Sequence, residues 1–349
     1  MLCLWGKTSG FWALGQILLN MNTLPDTIDF RLYMKETDAQ TRVKQASDSI
    51  AVLKARLRQT EREHLVYLPW QKTKDNFAFR KGEVTLWSGQ NGHGKSLMTG
   101  EVALSLIGQG EKVCIASFEM KPEKTMHRMA RQWIGMNPYT PEFQEESGVK
   151  ALEELYDQLG DWTKDHLWMY DYQGTADVEA VIGMCKYCAN ELGITHIFID
   201  SLMKCVKNED DYNGQKMFVD ELTAIARDLS IHIHLVHHLK KPANENAVPD
   251  KHDNKGSGAI TDQCDNVLMV WRNKVKEDDI KANGEFSNKK DEPDHYLLCR
   301  KQRNYDGSGE GEPTIKLWFL RDAMQYVESP RESPMFFPNF PHKIGRAHV

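Results

Sequence analysis

Long apolar runs are scarce in this chain. Of its 349 residues, only Phe11 to Leu19 (FWALGQILL) forms an extended apolar stretch near the start. That is too short to cross a bilayer, and no small-residue cleavage pattern follows it. Neither a membrane span nor a secretory leader is therefore expected, and the stretch reads as a buried or partner-facing segment. Cysteine is sparse too: seven are scattered without the spacing of a disulfide framework, which points to a reducing cytoplasm. No paired C-x-x-C pattern of a zinc ribbon occurs. A surplus of cations is also missing. Lys plus Arg is 44 against 50 for Asp plus Glu, a net charge of −6. That excludes a whole-surface nucleic-acid binder but leaves room for local Lys/Arg loops, because a global sum hides local fields.

What is present organises into three parts: an N-terminal arm over 1–65, an alternating region over 66–328, and a Pro-rich tail over 329–349. The arm carries a helical seam of Val43, Ala46, Ile50, Leu53 and Leu57, suited to lying on its own domain or on the next subunit of a ring. The tail ends in IGRAHV, which matches one translated frame of a sequencing adapter, so these residues are expected to be artefactual. In the middle region, strands are expected at Val84–Ser88, Val113–Phe118, Leu167–Tyr170, His196–Asp200, His232–His237 and Val267–Trp271. Helical patterns separate several of them. This predicts an α/β fold with a central, mostly parallel sheet flanked by helices. Tyr296–Lys301 and Ile315–Phe319 then suit a late antiparallel pair, and the polar stretch Glu277 to Asp294 reads as an exposed loop.

Gly89-Gln90-Asn91-Gly92-His93-Gly94-Lys95-Ser96 fits G-x-x-x-x-G-K-[ST] at every fixed position, after a strand and before a helix. Such a loop turns backbone N–H groups and a helix N-terminus toward phosphate oxygens. Lys95 is then expected at the β and γ phosphates of ATP or another NTP, and the Ser96 hydroxyl on Mg²⁺. Asp200 ends the apolar run HIFID, at the strand edge where open α/β sheets bind ligands, and is the second candidate for the metal. Glu119 follows another buried strand and is the candidate general base.

The ordered motifs GQNGHGKS, SFEM, HIFIDSLMK, HLVHHLKKP, KGSGAITDQCDNVLMVWR and LLCRKQRN resemble the helicase domain of DnaB-type replicative helicases. The phage primase–helicases and mitochondrial Twinkle belong to that family, which is part of the RecA-like ATPase superfamily. The resemblance covers roughly 66–328 and implies a RecA-like P-loop core acting as a hexamer or similar ring. It implies Glu119 as the catalytic carboxylate, Asp200 as the metal-associated acid and His238 as a γ-phosphate sensor. It implies that Lys301 and Arg303 reach the neighbouring subunit's ATP, Arg303 as the finger. It also implies that the loop from Lys240 to Gly258, with Lys240, Lys241, Lys251 and Lys255, grips single-stranded DNA, and that movement runs 5′ to 3′. Ser201 to Lys216, with Lys204, Lys207 and Lys216, is a second candidate DNA loop, weakened by Glu209, Asp210 and Asp211.

One departure is Asp262, standing where the family has Gln, with Gln263 one place later. The arm is too short for a primase domain, so no primer synthesis is expected, and primase, polymerase or loader become candidate partners. Two other readings remain open: a recombinase-like or regulatory RecA-type ATPase, and a non-hydrolysing ATP-gated DNA clamp. The lone Cys185-x-x-Cys188 reads as core. His232, His234, His237 and His238 resemble a metal cluster on paper, but on a strand His232 and His234 share one face while His237 and His238 point oppositely to each other.

Overall fold

A computed structural model describes residues 22–24, 46, 50, 54, 65–206, 211–240, 246–254, 258–305 and 312–337. Lys207, Lys241, Lys255, the Phe11–Leu19 segment and the end of the tail lie outside the described residues, as do most of the arm helix and the Lys251 side chain. At Ala46, Ile50 and Lys54 the backbone is helical and exposed.

The described residues contain a ten-stranded sheet. In chain order its strands are β1 (Asn22–Leu24), β2 (Val84–Gly89), β3 (Val113–Ser117), β4 (Leu167–Tyr170), β5 (His196–Asp200), β6 (His232–His238), β7 (Asn266–Arg272), β8 (His295–Gln302), β9 (Thr314–Leu320) and β10 (Gln325–Val327). Their spatial order is β1-β4-β3-β5-β6-β2-β7-β8-β9-β10. Pairs from β1 through β7 are parallel, and β7–β8, β8–β9 and β9–β10 are antiparallel. All eight expected strands are present; β1 and β10, each three residues long, carry too little pattern to be read from sequence.

The helices are α1 (Lys95–Gly108), α2 (Pro122–Ile134), α3 (Pro141–Thr163), α4 (Val178–Leu192), α5 (Tyr212–Leu229), α6 (Gly258–Gln263) and α7 (Lys274–Asn283). The central strands are continuously buried, as sheets covered on both faces require. One apolar cluster joins α4 and α5 to the sheet, and a second joins α1, α2 and α3 to its other face. Cys185 and Cys188 are buried within the first, and burial holds the Cys185 thiol far above its ordinary range.

The stretch Glu277 to Asp294, expected as an exposed loop, begins instead within α7. Its polarity hid a helix made by local pairing. Asn273 caps the first turn, Arg272 pairs with Glu277, and the buried Lys276 ammonium reaches Asp294 at 2.7 Å and the Glu292 carbonyl at 2.6 Å. Of the tail, Phe337 is buried beside Trp162, and Gln325 accepts from the Met335 N–H.

His232 and His234 do not form a metal site. Among the described residues no group of three or more His, Cys, Asp or Glu is arranged to hold an ion. They join His196 in a buried, stacked trio under Phe79. The partners fix the tautomers. Trp87 donates to His234 Nδ1 at 3.1 Å, so His234 Nε2–H donates to His196 Nδ1 at 3.1 Å. His196 Nε2 then faces Glu111 at 3.7 Å. His232 Nδ1 donates to the Arg80 carbonyl at 2.7 Å, and its Nε2 accepts from Thr85 at 2.8 Å. Burial pushes His232 down to about 4 and His234 well below its ordinary value.

His232 and His234 stay neutral in the fold and gain protons on unfolding. The stability they contribute is complete above the ordinary histidine value and is lost as pH falls toward about 4. Urea midpoints measured from pH 7.5 to 4 should fall with a slope of more than one proton, and His232→Asn should flatten that slope. A pH-independent midpoint across this window would contradict a neutral, buried His232 and His234.

Candidate nucleotide site

The sheet brings four motifs to one edge. Parallel register aligns Gly89 with His238 and with Val270, and aligns Ser117 with Asp200. The loop after β2, the turn after β3 and the ends of β5 and β6 therefore converge at the carboxyl edge. The loop before α1 is set by close packing. A Cβ at Gly89 would lie 2.6 Å from the Val270 carbonyl oxygen. At Gly94, φ is +87° and a Cβ would collide with the Tyr326 hydroxyl. That hydroxyl donates to the Gly94 carbonyl at 3.3 Å, while the Tyr326 N–H donates to the buried Glu101 of α1 at 2.8 Å. The last strand of the domain thus braces the phosphate loop from behind. Within the loop expected to cradle phosphate, the His93 side chain is buried, with Nδ1 accepting from the Arg272 N–H at 3.2 Å. Its side chain belongs to the loop's support. Gln90, Asn91 and Gly92 lie along the partly exposed rim of the loop.

Lys95 points back across the loop. Its ammonium donates to the carbonyls of Gly89 (2.8 Å) and Gln90 (3.1 Å) and to His238 Nδ1 (3.2 Å). An ammonium only donates, so His238 carries its proton on Nε2, which faces Glu119 at 3.8 Å. That distance makes the His238–Glu119 contact electrostatic, too long for a hydrogen bond. Ser201 donates to the same Glu119 oxygen at 3.3 Å. His238 and then Ser201 hold the Glu119 carboxyl below its usual range against the opposing effect of burial. Burial lowers Lys95 to about 8, with Asp200 and Glu119 resisting, and burial raises Asp200 against the hydrogen bond from Ser96.

Ser96 donates to Asp200 at 2.7 Å, so two hard oxygen donors sit side by side at the start of α1. This donor set fits Mg²⁺, which takes one or two protein oxygens and completes its shell with water and phosphate.

Lys301 and Arg303 lie at the opposite edge. In the antiparallel β7–β8 pair, Gln302 stands across from Asn266, whereas Gly89 stands across from Val270. Four strand steps, roughly 13 Å, separate those levels. Lys301 donates to the carbonyls of Thr261 (2.9 Å), Asp262 (2.7 Å) and Cys264 (2.8 Å), at the end of α6. Arg303 pairs with Asp265 at 3.1 Å and donates to the carbonyls of Asp262 (3.0 Å) and Gln263 (3.4 Å). The other two members of K-Q-R-N fasten the strand end to its own domain: Gln302 to the Asn76 carbonyl at 2.8 Å, Asn304 to Glu83 at 2.8 Å. At the family's Gln position the Asp262 side chain is exposed, while Gln263 donates to Asp220 of α5.

Of the candidate DNA loop, Lys240 is exposed and its N–H donates to the Asp253 carbonyl at 2.8 Å. Lys251 begins a short 3-10 turn capped by Asp250. Asn254 bridges back to Leu239 and donates to Thr261 of α6 at 3.2 Å. In the second loop, Lys204 lies close enough to Glu119 to help lower its pKa, and Lys216 is exposed on α5. Sequence reasoning missed Asp265, Glu83 and Tyr326. Asp265 lies within KGSGAITDQCDNVLMVWR, and the polar pair Asp265-Asn266 directly before the apolar run Val267–Trp271 was the available signal.

The DnaB-like helicase C-terminal domain family matches residues 73–328 of this chain. Among solved structures, the fold is similar to the ATPase domain of a helicase, with a TM-score of 0.66 at 15% identity, covering 82% of this chain and 99% of that one. It is also similar to a DnaB-like replicative helicase whose structure concerns its interactions with primase, with a TM-score of 0.63 at 15% identity, covering 82% and 67%. The family match spans most of the sequence and contains the phosphate loop, the two acids and the K-Q-R-N strand, so this chain belongs to the DnaB-like helicase C-terminal domain family, the NTP-hydrolysing motor domain of DNA helicases.

Proposed function

We propose that this chain drives a ring, hexameric or of similar size, that moves 5′ to 3′ on single-stranded DNA and separates the duplex ahead of it. One observation carries the reading: the phosphate loop and Arg303 sit at opposite edges of one sheet. A single subunit cannot bring both to one phosphate, whereas neighbours in a ring can. Lys95 would neutralise the β and γ phosphates of ATP or another NTP. Ser96 and Asp200 would hold Mg²⁺, which supplies charge neutralisation at the phosphate oxygens. Glu119 would orient and deprotonate the attacking water, with His238 linking it to Lys95 and sensing the γ-phosphate.

Arg303 would enter the neighbour's site, where a planar and permanently charged donor matches the spread charge of phosphoryl transfer. For Lys301 to follow, it would have to leave the three carbonyls it now meets. Lys240, Lys241, Lys251 and Lys255 would hold the DNA backbone without regard to sequence. The similar helicase studied with primase makes a primase, polymerase or loader a reasonable partner, and the cytoplasm is the proposed location.

Lys95→Ala and Arg303→Ala should each abolish unwinding of a forked duplex with a 5′ tail, with DNA-stimulated ATPase down at least about 10³-fold for the arginine variant. An equal mixture should regain about one quarter of the wild-type ATPase, the share of interfaces that random pairing leaves with both halves intact. Absence of any recovery would count against a finger supplied in trans. ATPase without unwinding would favour the recombinase-like reading, and DNA retention without hydrolysis would favour the clamp.

A second expectation concerns pH. Lys95 is lowered to about 8 in this site, and phosphate binding needs its charged form. Affinity for a non-hydrolysable ATP analogue should therefore be flat below pH 7.5 and fall up to about tenfold per pH unit above about 8. Lys95→Arg, which keeps its charge, should remove the slope. A profile that stays flat to pH 9.5 in the wild type would rule this out.

A further inference from the structure

We infer that Asp265 is the positioning residue for Arg303, setting the direction and reach with which this subunit presents its guanidinium to the neighbour's nucleotide. The inference rests on the reading of Arg303 as a finger supplied in trans.

Asp265 sits at the junction between α6 and β7, and its side chain is only 4% exposed. A buried carboxylate is costly unless it is paired and hydrogen-bonded. Asp265 has both kinds of partner, divided between its two oxygens. Oδ2 accepts from the Val84 N–H at 3.0 Å, at the first residue of β2. Oδ1 takes the Arg303 guanidinium at 3.1 Å and, more distantly, Arg227 of α5 at 3.5 Å. The main chain adds two further ties. The Asp265 N–H donates to the Val84 carbonyl at 2.9 Å, and its carbonyl accepts from the Arg303 N–H at 2.9 Å. Backbone and side chain of Arg303 are therefore held by one residue, which is itself locked to the strand leading into this subunit's phosphate loop.

The grip leaves Arg303 able to act. Its guanidinium has five donors on a rigid fork. Its contacts run from NH1 to Asp265 and from NH2 to the carbonyls of Asp262 and Gln263. The side chain remains 42% exposed. The ammonium of Lys301 differs: it has three donors, and all three meet carbonyls at the end of α6. The same strand end thus carries one cation with all its donors used within the subunit and one held by its guanidinium yet still 42% exposed. An exposed arginine on a flexible stem must give up rotamer freedom to meet a phosphate in one geometry. A fixed carboxylate on the guanidinium NH1 has already restricted that freedom.

The consequence is specific to the subunit that donates the finger. Asp265→Asn keeps the shape and an oxygen for Val84, but removes the charge that holds Arg303. Full-length Asp265→Asn should lose about tenfold to 100-fold in DNA-stimulated ATPase turnover, with KM for ATP and single-stranded DNA binding in the presence of a non-hydrolysable analogue unchanged. In a background of Arg303→Ala the same substitution should cost nothing further, because the group it positions is gone. In mixed rings, Asp265→Asn subunits should accept a neighbour's finger normally and fail only as donors. Mixing with Lys95→Ala subunits, which retain an intact finger, should therefore give a higher rate than Asp265→Asn rings alone.

If Asp265 instead serves only to tether β2, Asp265→Asn will change nothing or act through KM and the melting temperature, and any loss will add to that of Arg303→Ala. Those outcomes would overturn the inference, as would unchanged turnover. Should Arg303→Ala itself leave turnover intact, the trans-finger reading would fail first. A loss with Arg303→Ala but not with Asp265→Asn would remove this inference alone.

Discussion

Everything at the two working edges of this domain depends on β2 being fixed at both ends. At its carboxyl end, Gly89 packs so close to the Val270 carbonyl that no side chain fits. At its amino end, Val84 is joined to Asp265 through both its N–H and its carbonyl. Between them the strand is fully buried and lies between β6 and β7. A strand clamped in this way cannot slide in register without breaking a buried ladder. Phosphate loop and Arg303 therefore sit at opposite ends of one rigid bar, one level with Val270 and the other beyond Asn266.

The phosphate loop is supported by more than its own motif. The β9–β10 pair returns the chain to α1, where Tyr326 contacts Gly94 with its hydroxyl and Glu101 with its N–H. Glu101 is wholly buried, and burial raises its carboxyl well above the ordinary range, while the Tyr326 N–H bond opposes that rise. Trp70 donates to the Tyr326 carbonyl at 2.8 Å, which ties the start of the domain to its end at this point. The loop closes around Lys95, whose donors rest on two loop carbonyls and His238. Incoming phosphates would exchange those contacts for stronger charge-assisted ones.

Much of this was legible because it is local. The strand–loop–helix context of Gly89 to Ser96 and the apolar run ending in Asp200 each declare themselves within a dozen residues. The six parallel strands β2 to β7 were readable because buried parallel strands are continuous apolar runs, and β9 because its burial alternates along the antiparallel edge. What escaped is non-local or polar. The α7 helix is held by Asn273, Arg272 and Lys276 reaching polar partners, with almost no apolar face, so periodicity could not reveal it. His93 occupies a motif position whose residue type is unrestricted, and only the Arg272 backbone nearby shows that it turns inward. Asp265 pairs with Arg303 across 38 positions, a separation over which sequence spacing carries no geometric information.

The strand end K-Q-R-N shows how four polar residues in a row can divide one task. Gln302 and Asn304 face groups of their own domain, Asn76 and Glu83, and fix where the strand stops. Glu83 also accepts from Asn266 at 2.9 Å, so it ties the beginnings of β2 and β7 to the end of β8. Lys301 then caps α6, placing positive charge at the negative end of the helix dipole. α6 follows the loop that carries Lys240, and Thr261 within it accepts from Asn254 at that loop's far end. A displacement of Lys301 or Arg303 toward a neighbour's phosphate would free carbonyls of α6, and α6 is the element whose movement the loop would feel. On the proposed reading, coupling between fuel and DNA would need no long path through this domain. It would need only that one set of carbonyls at the end of a six-residue helix compete with a phosphate for the same donors.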